Sequence, residues 1–161
     1  KNMFGILPTR KKGKYHKKID PILADINKAL PPTLSMVDAS TCLEGEGPFH
    51  GNPVELGLIV AGNNAVAVDS VMAKIMGYEP QKIMHIRLAS ELGLGPTSLD
   101  EIKVVGESIE RVAQEFEKSP KENVSRPLSW VPGLGHFIVH YYYETAVNNW
   151  KKKTKIKTRA F

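Results

Sequence analysis

The sequence predicts an α/β fold: a small layered sheet with helices packed against it. Short apolar runs, Thr33–Val37 and Val54–Ala61, alternate with segments whose apolar residues recur at helical spacing. Gly, Pro or Asn bounds each run. Only about three strands are visible, and a sheet that small is marginal alone. The expectation is therefore a piece of a larger, mostly parallel α/β domain, followed by an aromatic and basic C-terminal tail.

Taken in order, residues 1–18 read as loop, broken by Gly5, Pro8 and Gly13. Asp20 suits an N-cap and Pro21 the first helical position. Ile22, Leu23, Ile26 and Leu30 continue at helical spacing until Pro31-Pro32. Thr33–Val37 is a first strand aimed at Asp38. Residues 44–53 hold three Gly and two Pro, the composition of a turn-rich loop. Val54–Ala61 is the second strand, and Asn63 or Asn64 caps the next helix. That helix runs to about Met76 on a stripe of Val68, Val71, Met72, Ile75 and Met76, with Gly77 as its stop. Pro80 opens a helix to about Leu92. Ile102–Val105 reads as a third strand and Ser108–Lys118 as a last helix.

The domain reading is 1–119 for the α/β domain and 120–161 for linker and tail. The tail carries Phe137, Tyr141 to Tyr143 and Trp150, then KKKTKIKTR. Residues 128–147 have the length of a membrane span, but His136, His140, Glu144, two Gly and a Pro make them poor spanning material.

Charge is segregated. Residues 1–18 hold seven Lys/Arg and residues 151–161 hold six, with no acid in either. The other nine bases share the middle with all 17 acids. The net charge of +5 thus belongs to the ends, over an acidic body. A single cysteine, Cys42, rules out an intrachain disulfide or a four-cysteine cluster. A cytoplasmic setting is the default for such a chain. Its start at Lys1, without a leader pattern, reads as the interior of a longer polypeptide.

The candidate site lies between the two strands. Glu44 and Glu46 flank Gly45, and alternation in extended chain points both carboxylates to one side. With Asp38 they make a set of hard oxygen ligands for a divalent metal. The other reading is a tight turn whose acids cap helices or face water. Asp38, Glu46 and Asp69 are the candidate acid/base groups, with Asp69 near the edge of an apolar stripe. Lys11, Lys12 and Lys14 can clamp an anionic small molecule, and His16 and His50 are the nearby imidazoles. Cys42 has acidic neighbours and reads as buried rather than reactive.

Five ordered pieces resemble the family called domain of unknown function 362. These are KNMFG at Lys1–Gly5, the Lys14–His16 segment, Asp38–Gly51, Asn64–Val71, and Ile75-Met76-Gly77 with Pro80. Gly93-Leu94-Gly95 and Val104–Glu107 extend the likeness to about residue 107. The resemblance implies that this chain corresponds to the family's C-terminal half. Some members are iron–sulfur or ferredoxin-linked, which implies a redox setting and a ferredoxin-type partner or the missing N-terminal half. This chain supplies no cluster ligands itself, and Asn64-Ala65 replaces an Asp-Pro of the pattern. Two functions stand open. One is an enzyme-like domain binding a metal or anion at the acidic loop. The other is a binding or scaffold module whose basic ends contact a membrane surface, nucleic acid or partner protein.

Overall fold

The computed structural model describes residues 2–9, 11–46 and 50–118. All lie in the first of two compact units, Lys1–Pro120; the second, Lys121–Phe161, is outside the described residues, as is the reading of its aromatic and basic tail.

Residues 1–18, read as loop, form two 3-10 helices, Asn2–Ile6 and Lys12–Lys18. They run directly into α1 (Ile19–Ala29), so Asp20 sits in the first turn and is not its cap. Two long strands follow, β1 (Ser35–Glu46) and β2 (His50–Gly62). They pair antiparallel from Ser35↔Gly62 to Glu46↔His50. The turn-rich loop read over residues 44–53 is therefore mostly the closed end of a hairpin. Gly51 makes this possible, because a Cβ there would collide with the carbonyl oxygen of Glu44. Between Ala39↔Leu58 and Thr41↔Glu55, β2 carries one residue more than β1. Gly57, at φ 65°, absorbs that bulge.

α2 (Ala65–Ile75) is the central element. Asn64 caps it: the Ala67 N–H donates to Asn64 Oδ1 at 2.9 Å. Asn64 Nδ2 also donates to the Leu94 carbonyl at 2.8 Å, tying the helix start to the Gly93-Leu94-Gly95 turn. A turn at Pro80–Lys82 leads to α3 (Met84–Glu91), where one longer helix was expected.

Two expectations fail after this. Ile102–Val105 leaves the Leu99–Glu101 turn extended but joins no ladder; among the described residues the sheet has two strands, β1 and β2. The last helix is one turn, α4 (Ile109–Val112). Residues 113–118 instead satisfy carbonyls that α2 leaves open at its C-terminus. Gln114 N–H donates to Ile75 O at 2.8 Å and Phe116 N–H to Met76 O at 3.2 Å, while the Phe116 side chain is buried.

The core has two parts on either side of α2. Val66 and Ala73 pack with Ala24 of α1 and with Ile86 and Ala89 of α3. Val71, Met72 and Ile75 pack under the hairpin around Ala39, which is 0% exposed. The other face of the hairpin is bare: Met36 is 66% and Ile59 71% exposed. The described residues form a small α/β fold with a two-stranded sheet, antiparallel rather than parallel.

Candidate functional site

Strand geometry separates the acids that the sequence groups together. Asp38 lies six residues before Glu44 on β1, about 20 Å of extended chain at the usual rise. It is exposed on the open face, opposite Ile59. Its Oδ1 accepts from the Ser40 hydroxyl at 2.7 Å and from the Ser40 N–H at 3.0 Å. These two bonds hold the Asp38 carboxyl below the ordinary carboxylate range, the hydroxyl contributing most.

Glu44 is at the closed end of the hairpin, where its Oε2 accepts from the Glu117 N–H at 2.8 Å. The Gly45 N–H donates back to the Glu117 carbonyl at 3.0 Å. Glu44 thus anchors the segment that follows α4. Glu46 stands opposite His50 in the ladder. Among the described residues, no group of three or more His, Cys, Asp or Glu is placed to hold a metal ion. Asp38, Glu44 and Glu46 are not assembled into a coordination sphere. Cys42 is half-buried; burial, with the Asp38 charge adding, pushes its thiol up, away from thiolate chemistry.

Asp69 faces the other side of α2, toward α1 and α3. With Leu23, Asn27 and His85 it lines a cleft of about 40 Å³. One side of the residue is open to water, but the neighbouring helices crowd its carboxyl. That burial pushes the carboxyl up, and the nearby His85 pulls the other way. His85 Nδ1 lies 3.1 Å from Asp20 Oδ1, joining α3 to α1. Sequence reading assigned Asp20 to a cap and gave it no partner. A pair 65 positions apart has no local signature that would reveal it.

The basic residues do come together. In the Lys12–Lys18 helix and the residue before it, Lys11, Lys14, Lys17 and Lys18 are exposed and Lys12 is half-buried. Lys12 Nζ donates to the Gly5 carbonyl at 2.5 Å, folding the two 3-10 helices onto each other. Lys14 Nζ sits 4.7 Å from the Tyr15 ring centroid, and the His16 ring lies against Phe4 at 5.7 Å. Among the described residues no carboxylate forms an ion pair with these five lysines. A 560 Å³ groove elsewhere is bounded by β2, α2 and residues 101–107.

The fold and these features define a small α/β unit with a basic arm and an open sheet. Residues 1–74 match the family model described as domain of unknown function (DUF362). The match ends short of residue 107, and it leaves the assignment to the family's C-terminal half an expectation. Among curated proteins, a "Thylakoid-associated protein sll1697" of Synechocystis sp. is 34% identical over 107 residues, covering 62% of this chain and 33% of that protein. The chain therefore spans about a third of the relative's length. No solved structure matches. No helix among the described residues is long and apolar enough to cross a membrane.

Proposed function

We propose that this chain is a binding module whose basic arm, Lys11 to Lys18, engages an anionic surface such as a lipid bilayer. The observation that carries the reading is that, of five lysines in eight residues, none forms an ion pair with a carboxylate among the described residues, and four are exposed. The body of this chain has an excess of carboxylates, yet among the described residues none of them pairs with these lysines. Ile6, exposed, and Tyr15, half-buried beneath Lys14, add the apolar component that interfacial segments use. The printed name of the relative, a thylakoid-associated protein, points in the same direction. Each lysine near an anionic bilayer contributes about 1 kcal/mol. Four together, about 4 kcal/mol, correspond to an affinity change of roughly 1,000-fold.

The test is co-sedimentation of the full chain with phosphatidylglycerol vesicles, using phosphatidylcholine vesicles as control. Binding to the anionic vesicles alone, falling steeply with salt, is expected. The quadruple variant Lys11→Glu, Lys14→Glu, Lys17→Glu and Lys18→Glu is expected to lose it. Full affinity in that variant, or complete loss on deleting residues 151–161 alone, would overturn the reading.

A further inference from the structure

His16 differs from the rest of the basic arm. It is exposed, and it is the one side chain between Lys11 and Lys18 whose charge changes between pH 5 and 8. The lysines around it stay charged throughout that range. A 3-10 helix has three residues per turn, so positions three apart stand in line. In Lys12–Lys18, one such row holds Lys14 and Lys17, a second holds Lys12, Tyr15 and Lys18, and the third holds Gly13 and His16. With a neutral imidazole the third row carries no charge.

The neighbours of His16 supply no counter-charge. Its ring lies against Phe4, with centroids 5.7 Å apart and planes at 42°. The helix that presents Phe4, Asn2–Ile6, has no ionisable side chain. On its own helix the charged neighbours are Lys12, Lys14, Lys17 and Lys18, with the Tyr15 phenol between them. α1, which follows directly, carries Asp20, Asp25 and Lys28. Asp20 Oδ1 is engaged by His85 Nδ1 at 3.1 Å. Among the described residues no carboxylate lies within ion-pair distance of His16. A proton on His16 therefore adds a full charge to the arm. The Phe4 ring tolerates it, because an aromatic face at this separation attracts a cation.

We infer that His16 makes attachment of the basic arm to anionic lipid pH-dependent, its protonation adding a charge on the row that has no lysine and tightening binding as pH falls. The inference rests on the reading of the arm as a lipid-binding segment. Proton and lipid are linked in both directions. The negative surface favours the protonated ring, and the protonated ring favours the surface, by the same factor. One further positive charge at an anionic bilayer corresponds to about a fivefold gain in affinity. The gain is present where the imidazole is charged and is lost as pH rises and the ring gives up its proton.

The test uses the full chain and phosphatidylglycerol vesicles, whose phosphodiester keeps its charge throughout, at pH 5.5 and pH 8 and one low ionic strength. The parent should bind about fivefold more tightly at pH 5.5. His16→Asn should bind at pH 5.5 as weakly as the parent does at pH 8. His16→Lys should bind at pH 8 as tightly as the parent does at pH 5.5. His16 is exposed, so neither change opens the core, and circular dichroism at both pH values checks the fold. Equal affinity of the parent at the two pH values would overturn the inference while leaving the lipid reading intact. A full pH response in His16→Asn would also overturn it, moving the response to His50, His85, His136 or His140. No binding by the parent at either pH would overturn the lipid reading itself, and this inference with it.

Discussion

The two sides of α2 use different packing. Toward α1 and α3 the buried partners are mostly small: Ala24, Ala73 and Ala89, with Val66 and Ile86. Toward the hairpin they are larger: Val71, Met72 and Ile75, closing on a single alanine, Ala39. Alanines let helices approach closely, so that side is stabilised by many near contacts and has little room to spare. The hairpin side depends on the volume of its bulky residues. One helix thus serves as a spacer on one face and a filler on the other. The two faces should fail in opposite ways when side-chain size changes.

The largest effect tests that contrast directly. Ile75→Ala removes a side chain 3% exposed and leaves a cavity under the hairpin, at a cost of about 3 kcal/mol. Ala24→Leu, at 2% exposure, overfills the helical side and costs about 2 kcal/mol. Denaturant unfolding of both variants checks the pair. If each face tolerated the change that should damage it, the division would be wrong.

Asn64→Ala is next in size. It removes the cap of α2 and the bond to Leu94, and should cost about 1 kcal/mol. Gly95→Ala should produce a related defect, because a Cβ there collides with the Asn64 amide. A thermal melt of Asn64→Ala that matches the parent would remove the cap from the account.

The smallest effect concerns Asp69. Its carboxyl is pushed up by burial, so ionisation opposes folding. Asp69→Asn should therefore stabilise the chain at pH 7, by about 0.5 kcal/mol or less because the residue is partly open to water. The advantage is present above the folded-state pKa. It should fade as pH falls through that value toward the ordinary 3.8, where both states bind the proton. Urea titrations at pH 7 and pH 3 separate these cases. A loss of stability at neutral pH would mean that the carboxylate has a favourable partner.

Local patterns in the sequence were reliable wherever one element carried its own signals. The α2 stripe and the Gly77 stop stand as read, Gly77 with φ 79°, and of the two cap candidates, Asn63 and Asn64, the helix uses Asn64. Gly93, at φ 75°, likewise ends α3. The Gly-rich segment misled because glycine is equally at home in a loop and in a strand that must pass close to another. Gly45 and Gly51 face each other in the ladder, Gly45 at φ 73° and Gly51 where a Cβ would collide with the Glu44 carbonyl oxygen. Once residues 44–46 and 50–53 are strand, Asp38 and Glu44 are separated by the strand's own length. The acids that seemed adjacent in sequence therefore do not meet. The Lys11 to Lys18 cluster was legible because a short 3-10 helix keeps neighbours in sequence close in space.

The sequence by itself determined the α/β class, the central helix with both of its ends, and the separation of basic ends from an acidic body. Those follow from periodicity, capping chemistry and residue counts, each of which acts over a few neighbouring positions. Only the tertiary structure decided that the strands pair antiparallel, that Glu44 holds the Glu117 backbone, and that Asp20 meets His85. It also decided that residues 113–118 leave the helical pattern. Their N–H groups gain more from the open carbonyls of α2, and Phe116 from burial, than a further helical turn would provide. Such choices depend on which partners arrive from distant parts of the chain, and no local propensity encodes that arrival.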